Sequence, residues 1–159
     1  MSTVSPTTPH AHAAWHVAWH AAVVVLGDLV VLGAAFFSYA AYQNAFRALF
    51  FRGDVAPWLH SVETLGALLV IGGVTWWVVR ARPVSLGTAL WLAVPAAAVL
   101  VTIGVWAYPA EMLGIALGTA VVGVVDAVLL IAGRPWEQVL SITWVALLLL
   151  VTVLTGQEI

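Results

Sequence analysis

Residues Ala13 to Ala41 read AAWHVAWHAAVVVLGDLVVLGAAFFSYAA, 29 residues with a single charge, Asp28, near the middle. A helix needs about 20 apolar residues to cross the hydrocarbon core of a bilayer, so this stretch spans it with a turn or two to spare. A carboxylate at that depth costs about 2.5 to 3.5 kcal/mol on insertion scales, and such groups face protein rather than lipid. His12, His16 and His20 recur every four residues. At that spacing each rotates only about 40° from the last, so they form one stripe, with Asp28 about 80° beyond His20 and two turns deeper. One side of this helix is therefore polar and faces other protein.

The rest of the chain belongs to the same class. Hydrophobic residues make up 64% and charged residues 8%, and mean hydropathy is +1.08. A soluble domain carries about a quarter charged residues. The sequence therefore predicts an all-α, polytopic membrane bundle. Net charge is −2, and all five basic residues are Arg, which gives no basic surface for nucleic acid. Cysteine is absent, so disulfides, thiolate metal sites and thiol redox chemistry are excluded together. The N-terminal stretch has no Lys or Arg to make the basic region of a secretory signal, and the first apolar run is too long for one.

Five transmembrane segments are expected, at about 15–41, 62–80, 86–107, 113–132 and 138–155. Residues 1–12 read as a disordered tail, and 13–159 as one five-helix membrane domain. Its interfacial segment, 44–59, mixes Arg47, Arg52 and Asp54 with Phe46, Phe50, Phe51 and Trp58, a composition that favours the headgroup layer. Segment two closes on Trp76, Trp77, Arg80 and Arg82. Segment three contains Pro95, where a kink is expected. Segment four carries Gly114, Gly118 and Gly123, which permit close helix contact, and a second intramembrane acid, Asp126. If the N-terminus is inside, the inner loops hold Arg80, Arg82 and Arg134 and the outer ones Arg47 and Arg52. The positive-inside rule then leans to an inside N-terminus and an outside C-terminus.

Two groups of residues are candidates for chemistry. His16 and His20 have the i, i+4 spacing that lets two imidazoles share a metal ion, with His60 the remaining ring. Against that stands an interfacial role beside Trp15 and Trp19, rings in the headgroups and polar tips wet. Asp28, Asp126 and Glu63 are acids in or near the apolar spans. Each marks a proton or ion path, or else fixes packing by a hydrogen bond to a neighbouring helix. For Asp28 the expected partner lies on segment two, near Thr64 or Thr75. No nucleophile with its base, phosphate-cradling glycine loop or metalloenzyme signature is found, and the chain is not expected to catalyse a reaction alone.

Segment one resembles the first helix of five-helix subunit III of haem–copper terminal oxidases and of its relatives beside nitric oxide reductases. That family has a Ser-Glu pair, then apolar and aromatic residues, then a Tyr eleven positions after the acid. Gly27-Asp28, Phe36, Phe37 and Tyr39 stand at those places. Segment two is similar as well: Glu63-Thr64 precedes a run ending in Gly72-Gly73-Val74-Thr75, two residues longer than the family spacing. The fourth helix departs from the pattern, with Val125 and Val128 at two His positions, and Trp144 alone remains of the fifth-helix motif. The resemblance implies an accessory subunit with no cofactor of its own, haem and copper being held by partner subunits of the oxidase I and II type. It implies packing against that catalytic subunit, bound phospholipid, support of proton uptake, and a prokaryotic cytoplasmic membrane. The rival readings are a small Trp-rich membrane receptor of the translocator-protein kind and a proton-coupled carrier using Asp28 and Asp126.

Overall fold

A computed structural model describes residues 9–51, 58–108 and 110–155. They form five helices: α1 Pro9–Phe50, α2 Trp58–Ala81, α3 Leu86–Ala107, α4 Glu111–Ile131 and α5 Trp136–Leu154. All five are long and apolar enough to cross a membrane, so the chain is an all-α, multi-pass membrane protein.

The breaks between helices follow local chemistry. Ser85 caps α3, its hydroxyl accepting from the Thr88 amide at 3.1 Å, which satisfies one of the amides a helix start leaves open. Gly133, at φ +64°, ends α4. Its left-handed turn lets the Arg134 amide reach back to the Leu129 carbonyl (2.9 Å) and the Gly133 amide to Leu130 (3.1 Å), the paired closure that a glycine after the cap allows. Pro95 sits within α3 without ending it.

The largest departure from expectation is the length of α1. It begins at Pro9, inside the stretch read as a tail, and runs on to Phe50 through residues read as interfacial. No Pro or Gly interrupts 42–50, and Ala, Gln, Arg and Leu there are good helix formers. At 1.5 Å per residue, 42 residues cover about 63 Å, roughly twice the hydrocarbon thickness. Of the expected interfacial segment, 44–50 therefore close α1 and 58–59 open α2. Residues 1–8 and 52–57, Arg52 and Asp54 among them, lie outside the described residues.

Helix α3 is the hub and touches every other helix. Helix α5 meets α1, α3 and α4, whereas α2 leans on α3 and meets α1 only briefly. The buried apolar centre is small: Val24 of α1, Ala89, Ala93 and Val94 of α3, and Ile142 and Val145 of α5. Small side chains let α1, α3 and α5 approach closely. Gly114 and Gly118 serve α4 likewise: a Cβ on Gly114 would lie 3.1 Å from the Ala107 Cβ, and one on Gly118 3.1 Å from Leu100 Cδ2. Both glycines are thus taken up by α3 within the bundle, while Gly123 faces open space.

A candidate polar core between the helices

Three acids organise the polar side chains, each between a different pair of helices. Asp28 on α1 is fully buried. Its Oδ1 accepts from the Ser141 hydroxyl of α5 at 3.1 Å, across 113 residues of sequence. Its Oδ2 is buried and has no partner. The partner expected on α2 is not the one found. Thr64 gives its hydroxyl to the His60 carbonyl (3.1 Å) and Thr75 to Ile71 (2.7 Å), both within α2, the turn-back bond usual for hydroxyls in helices. Thr75 also accepts the Trp91 indole N–H at 3.0 Å, which ties α2 to α3 instead.

Asp126 on α4 is held differently. Thr143 of α5 donates to its Oδ2 at 2.7 Å, and Oδ1 is left without a partner. Ser141 and Thr143 are two residues apart, so they leave α5 about 200° apart, on nearly opposite faces. Helices α1 and α4 make no contact. Asp28 and Asp126 are therefore two separate centres on either side of α5.

The third acid, Glu63 on α2, is 2% exposed and lies toward the opposite end of α1. Arg47 Nε of α1 approaches its Oε1 at 3.3 Å and His60 Nδ1 its Oε2 at 3.6 Å. The arginine contact is a charge pair and not an aligned hydrogen bond, since Oε1 has no hydrogen-bond partner. Tyr42 donates to the Glu63 backbone carbonyl at 3.1 Å, and the His60 ring packs edge-on against Phe51, centroids 4.9 Å apart. Glu63 thus clasps the end of α1 to the start of α2.

This clasp separates the three candidate metal-binding histidines. His60 lies beside Phe51, 31 residues beyond His20 in sequence, a distance of about 45 Å at the helical rise. His16 and His20 are exposed. Among the described residues, no three His, Asp or Glu side chains converge in a way that would hold a metal. His20 faces Glu137 of α5, Nδ1 to Oε1 3.5 Å.

Two groups escaped the sequence reading. Gln138 and Ser141, buried at 2% and 0%, are three residues apart on α5 and make one inward stripe. Gln138 donates to the Pro83 carbonyl at 2.8 Å, and Arg134 to the same oxygen at 3.2 Å, which pins the α2–α3 turn to the start of α5. Polar residues at i, i+3 in an apolar helix carried that signal. Thr88, also buried, hydrogen-bonds the Arg82 carbonyl.

A small apolar interior with polar side chains paired across helices defines a multi-pass membrane protein whose helices are joined by a few polar contacts. No family model matches the chain, and no curated protein or solved structure matches it.

Proposed function

We propose that this protein is an accessory, cofactor-free membrane subunit of a respiratory haem–copper oxidase-type complex. It stabilises the catalytic subunit and supports proton uptake, in a prokaryotic cytoplasmic membrane with its N-terminus inside. One observation carries the reading. Both segments that resemble subunit III contribute an acid at their matched position, Asp28 and Glu63, and both are buried, at 0% and 2% exposure. Each is answered from another helix, Asp28 by Ser141 and Glu63 by Arg47. Outward, the helices present apolar side chains: Phe37 and Val30 on α1, Leu69 on α2, Ile131 on α4, each more than 70% exposed. Lipid or partner helices cover such faces in a membrane.

Isolation in mild detergent tests this. The chain should be retained with larger subunits that show a haem Soret band, and cross-linking of native membranes should join α1 or α2 to them. Separated from those subunits, it should carry neither haem nor stoichiometric metal. Recovery with self-contacts alone would remove the accessory-subunit reading. A Soret band on the isolated chain, lost in His16→Ala, would do the same.

The carrier reading has its own support in the unpartnered oxygens of Asp28 and Asp126. A carboxyl that takes and gives a proton or cation needs such a free position. It separates from the first by the Asp28→Asn variant discussed below.

A further inference from the structure

We propose that a single water molecule is bound between α1 and α5, held by the Asp28 carboxyl and the Trp144 indole N–H. Among the described residues, Asp28 Oδ2, Glu63 Oε1, Asp126 Oδ1 and Trp144 Nε1 are buried without a hydrogen-bond partner. Leaving a buried polar atom unpaired is unfavourable, and such groups normally meet protein or ordered water. Glu63 Oε1 has Arg47 as its charge partner at 3.3 Å. Trp144 Nε1 is the one donor of the four, and an indole N–H can only donate. The two remaining carboxyl oxygens, on Asp28 and Asp126, are the acceptors it could serve.

Helix geometry chooses between them. On α5, Glu137 meets His20 and Ser141 meets Asp28, so both look toward α1. Thr143 meets Asp126 and looks toward α4. At about 100° per residue, Trp144 lies roughly 20° from Glu137 and 60° from Ser141 but about 100° from Thr143. Glu137, Ser141 and Trp144, at i, i+4 and i+7, form one stripe on the α1 side. Long side chains on a helix lean back over the residue three or four earlier. For Trp144 that residue is Ser141, whose hydroxyl holds the other oxygen of the Asp28 carboxyl at 3.1 Å. The indole N–H and Asp28 Oδ2 thus belong to one site, yet they do not bond each other directly.

One water completes this arrangement. Its oxygen accepts from the indole, and it donates to Oδ2 when the acid is ionised or accepts from it when the acid is neutral. The Ser141 oxygen, having given its hydrogen to Oδ1, keeps lone pairs for a further bond. Two or three partners are usual for a buried water. Asp28 is fully buried, so this water exchanges slowly with solvent. The inference concerns only groups at the α1–α5 contact and is independent of the accessory-subunit and carrier readings. In either, the water gives Asp28 a partner for proton exchange inside an apolar bundle.

The test is NMR of the full chain in detergent, isotope-labelled at the tryptophan indole nitrogen. The Trp144 resonance is the one lost in Trp144→Phe. Wild type should show a cross-peak from this indole hydrogen to water, with the sign of a long-lived bound molecule. Asp28→Leu should abolish the cross-peak and move the resonance upfield, as for an indole that has lost its hydrogen bond. Asp28→Asn, which keeps the shape and one oxygen, should retain the cross-peak and shift the resonance less. Asp126→Leu and Asp126→Asn should leave both features unchanged. A wild type without the cross-peak, a cross-peak surviving Asp28→Leu, or a resonance that follows Asp126 would each overturn the proposal. Should Asp28→Leu lose helix content, the asparagine variants decide. A shift in Asp28→Asn alone supports the site, and no shift, or a shift in Asp126→Asn, refutes it.

Discussion

At Asp28 a buried carboxylate meets a single hydroxyl, and its energetics turn on what each substitution leaves behind. Asp28→Asn keeps an oxygen to accept from Ser141 and removes the ability to titrate, so the accessory-subunit reading expects near-normal assembly and turnover of the complex. Asp28→Leu loses the interhelical bond and should lower stability by about 0.6 to 2 kcal/mol, read as a drop in the melting temperature of the detergent-solubilised protein. Ser141→Ala is the informative partner. It leaves the acid fully buried with neither oxygen paired, at a cost of about 1 to 3 kcal/mol. Asp28→Leu/Ser141→Ala together should cost less than the sum of the two, because the second change removes no further bond. If Asn abolishes turnover while every subunit stays bound, the proton on Asp28 is chemical and the carrier reading gains.

Helix α2 depends on its neighbours unevenly, resting more on α3, where Trp91 reaches Thr75, than on α1, which it meets at the Glu63 clasp. Gly66 is part of that clasp. A Cβ there would lie 2.6 Å from the Tyr42 hydroxyl, which donates to the Glu63 carbonyl. Gly66→Ala should therefore displace the tyrosine, and Arg47→Ala should leave a buried carboxylate facing His60 alone. Both should raise amide hydrogen exchange in residues 58–66, with 86–107 unchanged. Equal protection of 58–66 in wild type and both variants would show that α3 alone holds this helix. How far such elements could be read from sequence depends on the range of the interaction. Apolar runs with Pro, Gly and Arg between them place all five helices, because hydropathy and helix breaking are local. The long ends of α1 escape that reading, since Ala, His, Gln and Arg signal neither a membrane nor a break. Asp28, Glu63 and Asp126 stand out as acids in apolar sequence. Their partners do not: Ser141 lies 113 residues from Asp28, and no periodicity within one segment says which helix will face it.

Across the whole molecule, an odd number of spans puts the termini on opposite sides, and five are long and apolar enough to cross. The turn joining α2 to α3 and that joining α4 to α5 share one end of the bundle, tied by Arg134 and Gln138 to the Pro83 carbonyl. This end carries Arg80, Arg82 and Arg134, while Arg47 stands in the last turn of α1 and Arg52 follows it in sequence at the other end. Three against two favours that end inside by the positive-inside rule. A margin of one charge makes orientation sensitive to substitution. Arg134 also braces the turn, so Arg80 and Arg82 are the residues to change: the Arg80 guanidinium lies 6.0 Å over the Trp76 ring, a contact worth about 0.5 to 1 kcal/mol at an exposed site. Reporter fusions at both termini should report an inside N-terminus and an outside C-terminus in wild type. Arg80→Gln/Arg82→Gln leaves one arginine against two, and a measurable fraction of molecules should then carry the C-terminal reporter inside. Reporters active on the same side in wild type would refute the five-span topology. An unchanged orientation in the double variant would show that the order of insertion, set by the long α1, outweighs loop charge.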